Sequence, residues 1–222
     1  MIILHRLVCF ALLPAVVLVS LTGCQSDTVD PTKGFSASIQ NLISPADIEK
    51  LRARGMPINE GQRPPSIEGI YVSSPHQLVS PYGPDDTYAV GHAFADLVLR
   101  FSNQNSTDLT ATVDLKNAGS TGSGVGGFLA GNGSTFTFFA EIDLVSGNAT
   151  AKQVRIFSGE ITPDGIKDLY TTLLITGKND PDNTLIPVGV SRIIRDGNGL
   201  ASVRSTFRRG ADGPAQTGDA DR

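Results

Sequence analysis

Few side chains in this 222-residue sequence combine a reactive type with a useful spacing. The histidines are His5, His76 and His92, and the cysteines are Cys9 and Cys24. Structural zinc needs about four closely placed His or Cys ligands, so this set is too sparse to hold it. Asp85-Asp86 and Asp180-Pro181-Asp182-Asn183 offer oxygens to a hard cation. Calcium takes about six to eight such ligands, and neither run has EF-hand spacing. Turn formation and solvation explain both runs more simply. Glu160 and Asp164 flank a turn as a glycosidase pair would, but that chemistry needs a fixed separation and unequal protonation. A short distance along the chain supplies neither. No G-x-S-x-G elbow occurs, and no glycine-rich stretch sits between strand and helix as a phosphate loop does. The reading assigns no catalytic residue, no cofactor and no metal.

The one position with definite chemistry lies near the start. Residues 1–23 carry Arg6, then an apolar run from Leu7 to Val19, then Ser20, Thr22 and Gly23. That order is a secretory signal peptide. A membrane anchor is the alternative, but the run falls short of about 20 apolar residues. Leu21-Thr22-Gly23-Cys24 resembles the lipobox of bacterial lipoproteins. The resemblance implies cleavage before Cys24, a thioether-linked diacylglycerol on its sulfur, and a third, palmitate-type chain on its nitrogen. A thiol suits that attachment as a soft nucleophile. Several acyl chains on one residue make anchoring stable. Gln25 follows instead of Asp, which in lipoproteins of this kind implies the periplasmic face of the outer membrane. The expected location is therefore the bacterial cell envelope, with the membrane as partner through the N-terminal lipid.

Processing would also change the charge. The 18 Lys and Arg fall to 17 against 22 Asp and Glu, so the formal charge moves from −4 to −5. Mild acidity argues against nonspecific binding to nucleic acid or anionic headgroups. Cys9 leaves with the signal and Cys24 carries lipid, so no disulfide is expected.

The elements that would position any site are mostly strands. Residues 24–43 read as lipidated N-terminus and flexible tether, being small and polar up to about Gln40. Ser44-Pro45-Ala46-Asp47 is a helix start, with Ser44 as cap and Pro45 at the first helical position. A short helix over 45–54 follows, ended by Gly55, and residues 44–66 form helix plus linker. From 67 to 209 the texture is that of an antiparallel β domain. Candidate strands are 67–73, 88–101, 109–116, 125–129, 135–144, 151–157, 168–176, 186–195 and 200–207. Turn-rich stretches separate most of them. Phe136, Phe138, Ala140, Ile142 and Leu144 alternate with polar residues, and Phe139 is the exception. Ala93, Ala95, Leu97, Leu99 and Phe101 form a second row. Asp196-Gly197-Asn198-Gly199 is expected to be a hairpin turn. The seven glycines from 119 to 133 read as two loops around a short curved strand, with a mobile flap as the alternative. The tail 210–222 reads as disordered.

These features predict a mainly β fold: a single antiparallel β-barrel with a short N-terminal helix, or alternatively a β-sandwich. Short links and glycines within strands favour the barrel. Gly69-Ile70-Tyr71 resembles the opening strand motif of the lipocalin and calycin group, with Tyr71 where that group has Trp. The resemblance also implies an arginine over that ring, and Arg192, Arg195, Arg204 and Arg208 are the candidates; the same four could form a patch for an anionic ligand. Tyr71, Leu97, Phe136, Phe138 and Ile142 would then line either a ligand cavity or a solid core. The expected function is a noncatalytic, lipid-anchored envelope protein binding a lipid-like or other small apolar molecule. A β-sandwich module for an envelope protein or surface glycan is the alternative, and an envelope hydrolase ranks below both.

Overall fold

The computed structural model describes residues 35–207 and 220–222. The expected signal peptide, the lipobox-like residues and Cys24 lie outside those residues.

The part of the expected tether that the structure describes, from Phe35 on, is packed against the sheet. Phe35 is already buried, with its ring edge-on to Phe139 at 5.5 Å. Ser36 caps helix α1 (Ala37–Leu42), which buries Ile39. Ser44 then caps α2 (Pro45–Ala53) by accepting the Asp47 amide at 3.1 Å, and its hydroxyl donates back to Asp47 Oδ2 at 2.7 Å. Asp47 thus closes the box through the hydroxyl rather than the backbone. These hydrogen bonds from Ser44 and Lys50 hold the Asp47 carboxyl below its ordinary range. Gly55, at φ +92°, ends the helix in the left-handed region.

Twelve strands follow: β1 (Gln62–Arg63), β2 (Gly69–Ser73), β3 (His76–Ser80), β4 (Ala93–Phe94), β5 (Leu97–Asn105), β6 (Thr110–Asn117), β7 (Ser120–Asn132), β8 (Thr135–Ser146), β9 (Ala149–Thr162), β10 (Gly165–Asn179), β11 (Ser191–Asp196) and β12 (Leu200–Val203). They form one sheet, ordered β12-β2-β5-β6-β7-β8-β9-β10-β11-β3-β4, with β1 parallel to β7 and a further pairing of β12 with β10. This corrects both expected architectures. The strands do not divide into the two layers of a sandwich. Nor do they form the expected lipocalin or calycin barrel, whose neighbours follow one another in sequence.

The departure is located at β10. Its residues Gly165–Lys167 pair with β12, whereas Tyr170–Leu174 pair with β11. Between them the register shifts and Asp168 takes φ +49°. One edge thus has two successive partners. Gly165 permits the junction: a Cβ there would lie 2.2 Å from the Ala201 carbonyl oxygen. Asp196–Gly199 is consequently no hairpin, because β11 and β12 do not pair. The Asp196 carboxylate instead accepts the amides of Ser74, Asn198 and Leu200, stitching the β2–β3 link to this connection.

The glycine-rich stretch is also corrected. It is a continuous strand of 13 residues, β7, rather than loops around a short one. Its glycines make room for the core: a Cβ on Gly127 would meet Phe138 Cζ at 2.3 Å. The expected strand 88–101 is divided into β4 and β5, and β3 was not expected.

The main core covers one face of the sheet. Phe101 meets Phe136, Phe138 and Phe157 edge-on at 5.4–6.3 Å, with aliphatic residues around them. A second cluster lies on the opposite face beneath the helices and holds Phe35, Ile39, Ile48, Leu51, Phe139 and Ile156. That cover explains Phe139: it alternates correctly with Phe138 and is apolar because its own face is buried too.

Candidate functional site

Among the described residues, two places stand out for concavity or chemistry that could act on another molecule. The first lies where α2 crosses the sheet. Leu51 from the helix, Ile43 before it, Val154 and Ile156 from β9, Leu174 from β10, and Val190 line a cleft of about 460 Å³. Asp47, Lys50 and Arg54 bring polar groups to it. Arg54 fixes the helix end over the sheet. Its Nε donates to Ser80 Oγ at 3.0 Å and its Nη1 to Ser191 Oγ at 2.7 Å. Its Nη2 reaches the carbonyls of Ser80, Pro81 and Ser191. Burial lowers the Arg54 pKa. The guanidinium is thus committed to holding the cleft open, whereas Lys50 remains exposed and paired only with Asp47 at 2.9 Å.

The second place is polar and lies within the main core. Gln153 and Arg155 share one face of β9 with Ala151 and Phe157, and Arg155 is 1 % exposed. Arg192 on β11 is fully buried. Its Nε and Nη2 donate to the Asp86 carboxylate at 2.9 and 2.7 Å, and its guanidinium lies 5.1–5.6 Å from the rings of Tyr82, Tyr88 and Phe94. Burial pushes the Asp86 carboxyl up, but the Arg192 bonds and the Tyr88 and Tyr82 amides outweigh it and hold it below its ordinary value. His76 stands nearby, its Nδ1 3.1 Å from Ser73 Oγ. The last residues of the chain close this end. Asp221 pairs with Arg155, and Ala220 and Arg222 offer carbonyl oxygens to Arg192 Nη1. The tail expected to be disordered therefore ends in buried contacts at Ala220 and Asp221. Residues 208–219 lie outside the described residues.

The remaining candidates do not converge. Tyr71, Leu97, Phe136, Phe138 and Ile142 all belong to the packed main core. Tyr71 donates its hydroxyl to the carbonyls of Ile67 or Glu68 at 3.3 Å, and among the described residues no arginine stacks on it. The arginine on aromatic rings is Arg192, over Tyr82, Tyr88 and Phe94. Of the other three late arginines, Arg195 is exposed and Arg204 half-buried, so neither joins the buried Arg192, and Arg208 lies outside the described residues. Glu160 is a surface acid, held below its ordinary value by bonds from Ser134 and then Lys167. Asp180 accepts from Lys178 and from the Thr184 and Leu185 amides, as a turn residue does. Its carboxyl is lowered because those bonds outweigh its burial. His92 stacks on Tyr88 at 4.0 Å. Among the described residues no three His, Cys, Asp or Glu side chains gather as metal ligands would. None of their helices is long and apolar enough to cross a membrane.

The fold and these two places define a mainly β protein built on one branched twelve-stranded sheet, with helices over one face and a buried arginine cluster on the other. Comparison with protein families, curated proteins and solved structures returned no match.

Proposed function

We propose that this chain is a noncatalytic envelope protein, anchored through lipid on Cys24, that holds a small lipid-like amphiphile in the cleft under α2. The cleft itself carries the reading. Its volume of about 460 Å³ falls within the range of small-molecule sites, about 300–1,000 Å³. Its floor is aliphatic, and an exposed cation, Lys50, paired with Asp47, stands at the rim. An acyl chain would remove the half-buried Leu174 and Val190 from water at about 25 cal/mol per Å² of apolar surface. Lys50 would meet an acidic head in place of Asp47. Placement supports the same conclusion. The eleven residues from Cys24 to Gly34 reach at most about 40 Å, and α1 and α2 are the first elements after them.

Filling the cleft tests the binding. Leu174→Trp should lower affinity for a fluorescent fatty acid by at least about tenfold, since the half-buried Leu174 lines the cleft and the added ring occupies it. Lys50→Gln should cost about two- to fivefold for the acid and nothing for the matching alcohol. Undiminished binding by Leu174→Trp, with the fold intact by circular dichroism, would sink the cleft as the site. The anchor is tested separately. Cys24→Ala should move the protein from the membrane to the soluble fraction and abolish incorporation of labelled palmitate; unchanged partition and labelling would reject it.

A further inference from the structure

Burying an arginine requires a matching anion, because an unpaired charge in the interior costs several kcal/mol. Arg192 obtains one from Asp86, a residue of the same β-rich body. Arg155 obtains its partner from the far end of the chain, at Asp221. Both side chains of that pair are at most 1 % exposed.

The surroundings of Asp221 have the form of a receptor. Gln153 Oε1 accepts from Arg155 Nε at 2.8 Å and so orients the guanidinium. Gln153 Nε2 then donates to Asp221 Oδ1 at 2.9 Å, the same oxygen that receives Arg155 Nη2. The adjoining backbone is held at three further points. Ala220 donates its amide to Asn117 Oδ1 at 3.2 Å, Ile186 donates to the Asp221 carbonyl at 2.9 Å, and Arg192 donates to the Ala220 carbonyl at 2.7 Å. Two buried atoms here lack partners among the described residues: Asp221 Oδ2 and the Nε2 of His76. The carboxylate thus uses one oxygen and leaves the other idle, which a residue selected only as a structural counterion would not require. Its Arg155 and Gln153 partners, by contrast, are set on one rigid strand.

We propose that Arg155 and Gln153 form an internal carboxylate site, that Asp221 fills it from within the same chain, and that a free organic carboxylate takes that place when Asp221 is absent. The site differs from the cleft under α2, which lies on the other face of β9. The last three residues act as an intramolecular ligand, and the ligand class is a small monocarboxylate that presents two oxygens where Asp221 presents one.

Rescue of an alanine variant tests this in the full chain. Asp221→Ala should unfold about 10 °C below the parent, as expected on removing one half of a buried pair. Sodium formate should restore at least half of that loss saturably, whereas formamide, and sodium chloride at equal ionic strength, should not. Arg155→Met combined with Asp221→Ala should abolish the formate effect. Asp221→Asn keeps an acceptor in place and should not respond to formate. Where Asp221→Ala does not fold in buffer, recovery of its β circular dichroism with rising formate is the expected result. Equal effects of formate and chloride, equal rescue of the double variant, or an alanine variant that formate leaves unfolded would each overturn the proposal.

Discussion

Asp86→Ala should lower the unfolding free energy by about 3–5 kcal/mol, the usual consequence of removing one member of a buried ion pair. Arg192 is fully buried and Asp86 is 1 % exposed at its side chain, so water cannot replace the lost carboxylate. The guanidinium would keep its aromatic neighbours and the Ala220 carbonyl, but none of these carries a full negative charge. The Tyr82 and Tyr88 amides, which donate to Asp86 at 2.9 and 3.0 Å, would lose their acceptor as well. That second loss should loosen the loop between β3 and β4. Asp86→Asn should fall between parent and alanine variant, since it keeps the shape and acceptors without the charge. The informative comparison is Asp86→Ala with Arg192→Met. Removing both charges should leave the double variant more stable than Asp86→Ala alone, because the main penalty is the orphaned cation. Urea denaturation of the parent, Asp86→Ala, Arg192→Met and the double variant decides it. A single variant within about 1 kcal/mol of the parent, or a double variant whose loss is the sum of the two singles, would show that the pair does not act as a buried unit.

Why the arginine cluster escaped the sequence while much of the sheet did not follows from how strands are read. In β8 the alternation works, because Phe136, Phe138 and Ile142 meet the core and Glu141 and Asp143 meet water. In β9 the same rule misleads. Val154 and Ile156 alternate with Gln153 and Arg155, so binary patterning turns the aliphatic residues inward and the arginine outward. The structure does the reverse, because α2 covers the outer face and supplies an apolar surface for Val154 and Ile156. The available signal was the helix itself. Ile48 and Leu51 had to pack on some sheet face, and a strand covered on both sides has no polar side to expose. The Asp196–Gly199 turn misled for a different reason. Its residues tolerate tight turning, but pairing is decided by β10, whose shift at Asp168 gives β11 and β12 separate stretches of one edge. The buried end of the tail was illegible because Ala-Asp-Arg has little apolar content, only the small Ala220 joining the core. It is held by charge and backbone hydrogen bonds, which composition does not register.

Mild acid should weaken the fold before its carboxylates titrate, and His76 is the reason. The side chain begins β3, is fully buried, and lies close enough to Arg155 to feel its charge. Burial first, and Arg155 second, hold the imidazole neutral by lowering its pKa from 6.5 to about 3. The unfolded chain takes up a proton near 6.5, whereas the folded chain resists until about 3. Between those values the unfolded state binds more protons, so stability is full above about pH 6.5 and falls as pH falls. The slope approaches about 1.4 kcal/mol per pH unit, giving a loss of about 2 kcal/mol by pH 5. His92 adds in the same direction, because burial and then Arg192 lower its pKa against the opposing pull of Asp86. Asp47, Asp86, Glu160 and Asp180 also have lowered values, but their contributions are lost only below the ordinary carboxylate range. The interval from pH 6.5 to 4.5 therefore isolates the histidines. His76→Asn can still bond Ser73 and has no titration there, so it should remove most of the decline, and His92→Gln should remove less. Urea midpoints that stay level from pH 7 to 4.5 in the parent, or an undiminished slope in His76→Asn, would show that His76 accepts its proton without disturbing the arginine cluster.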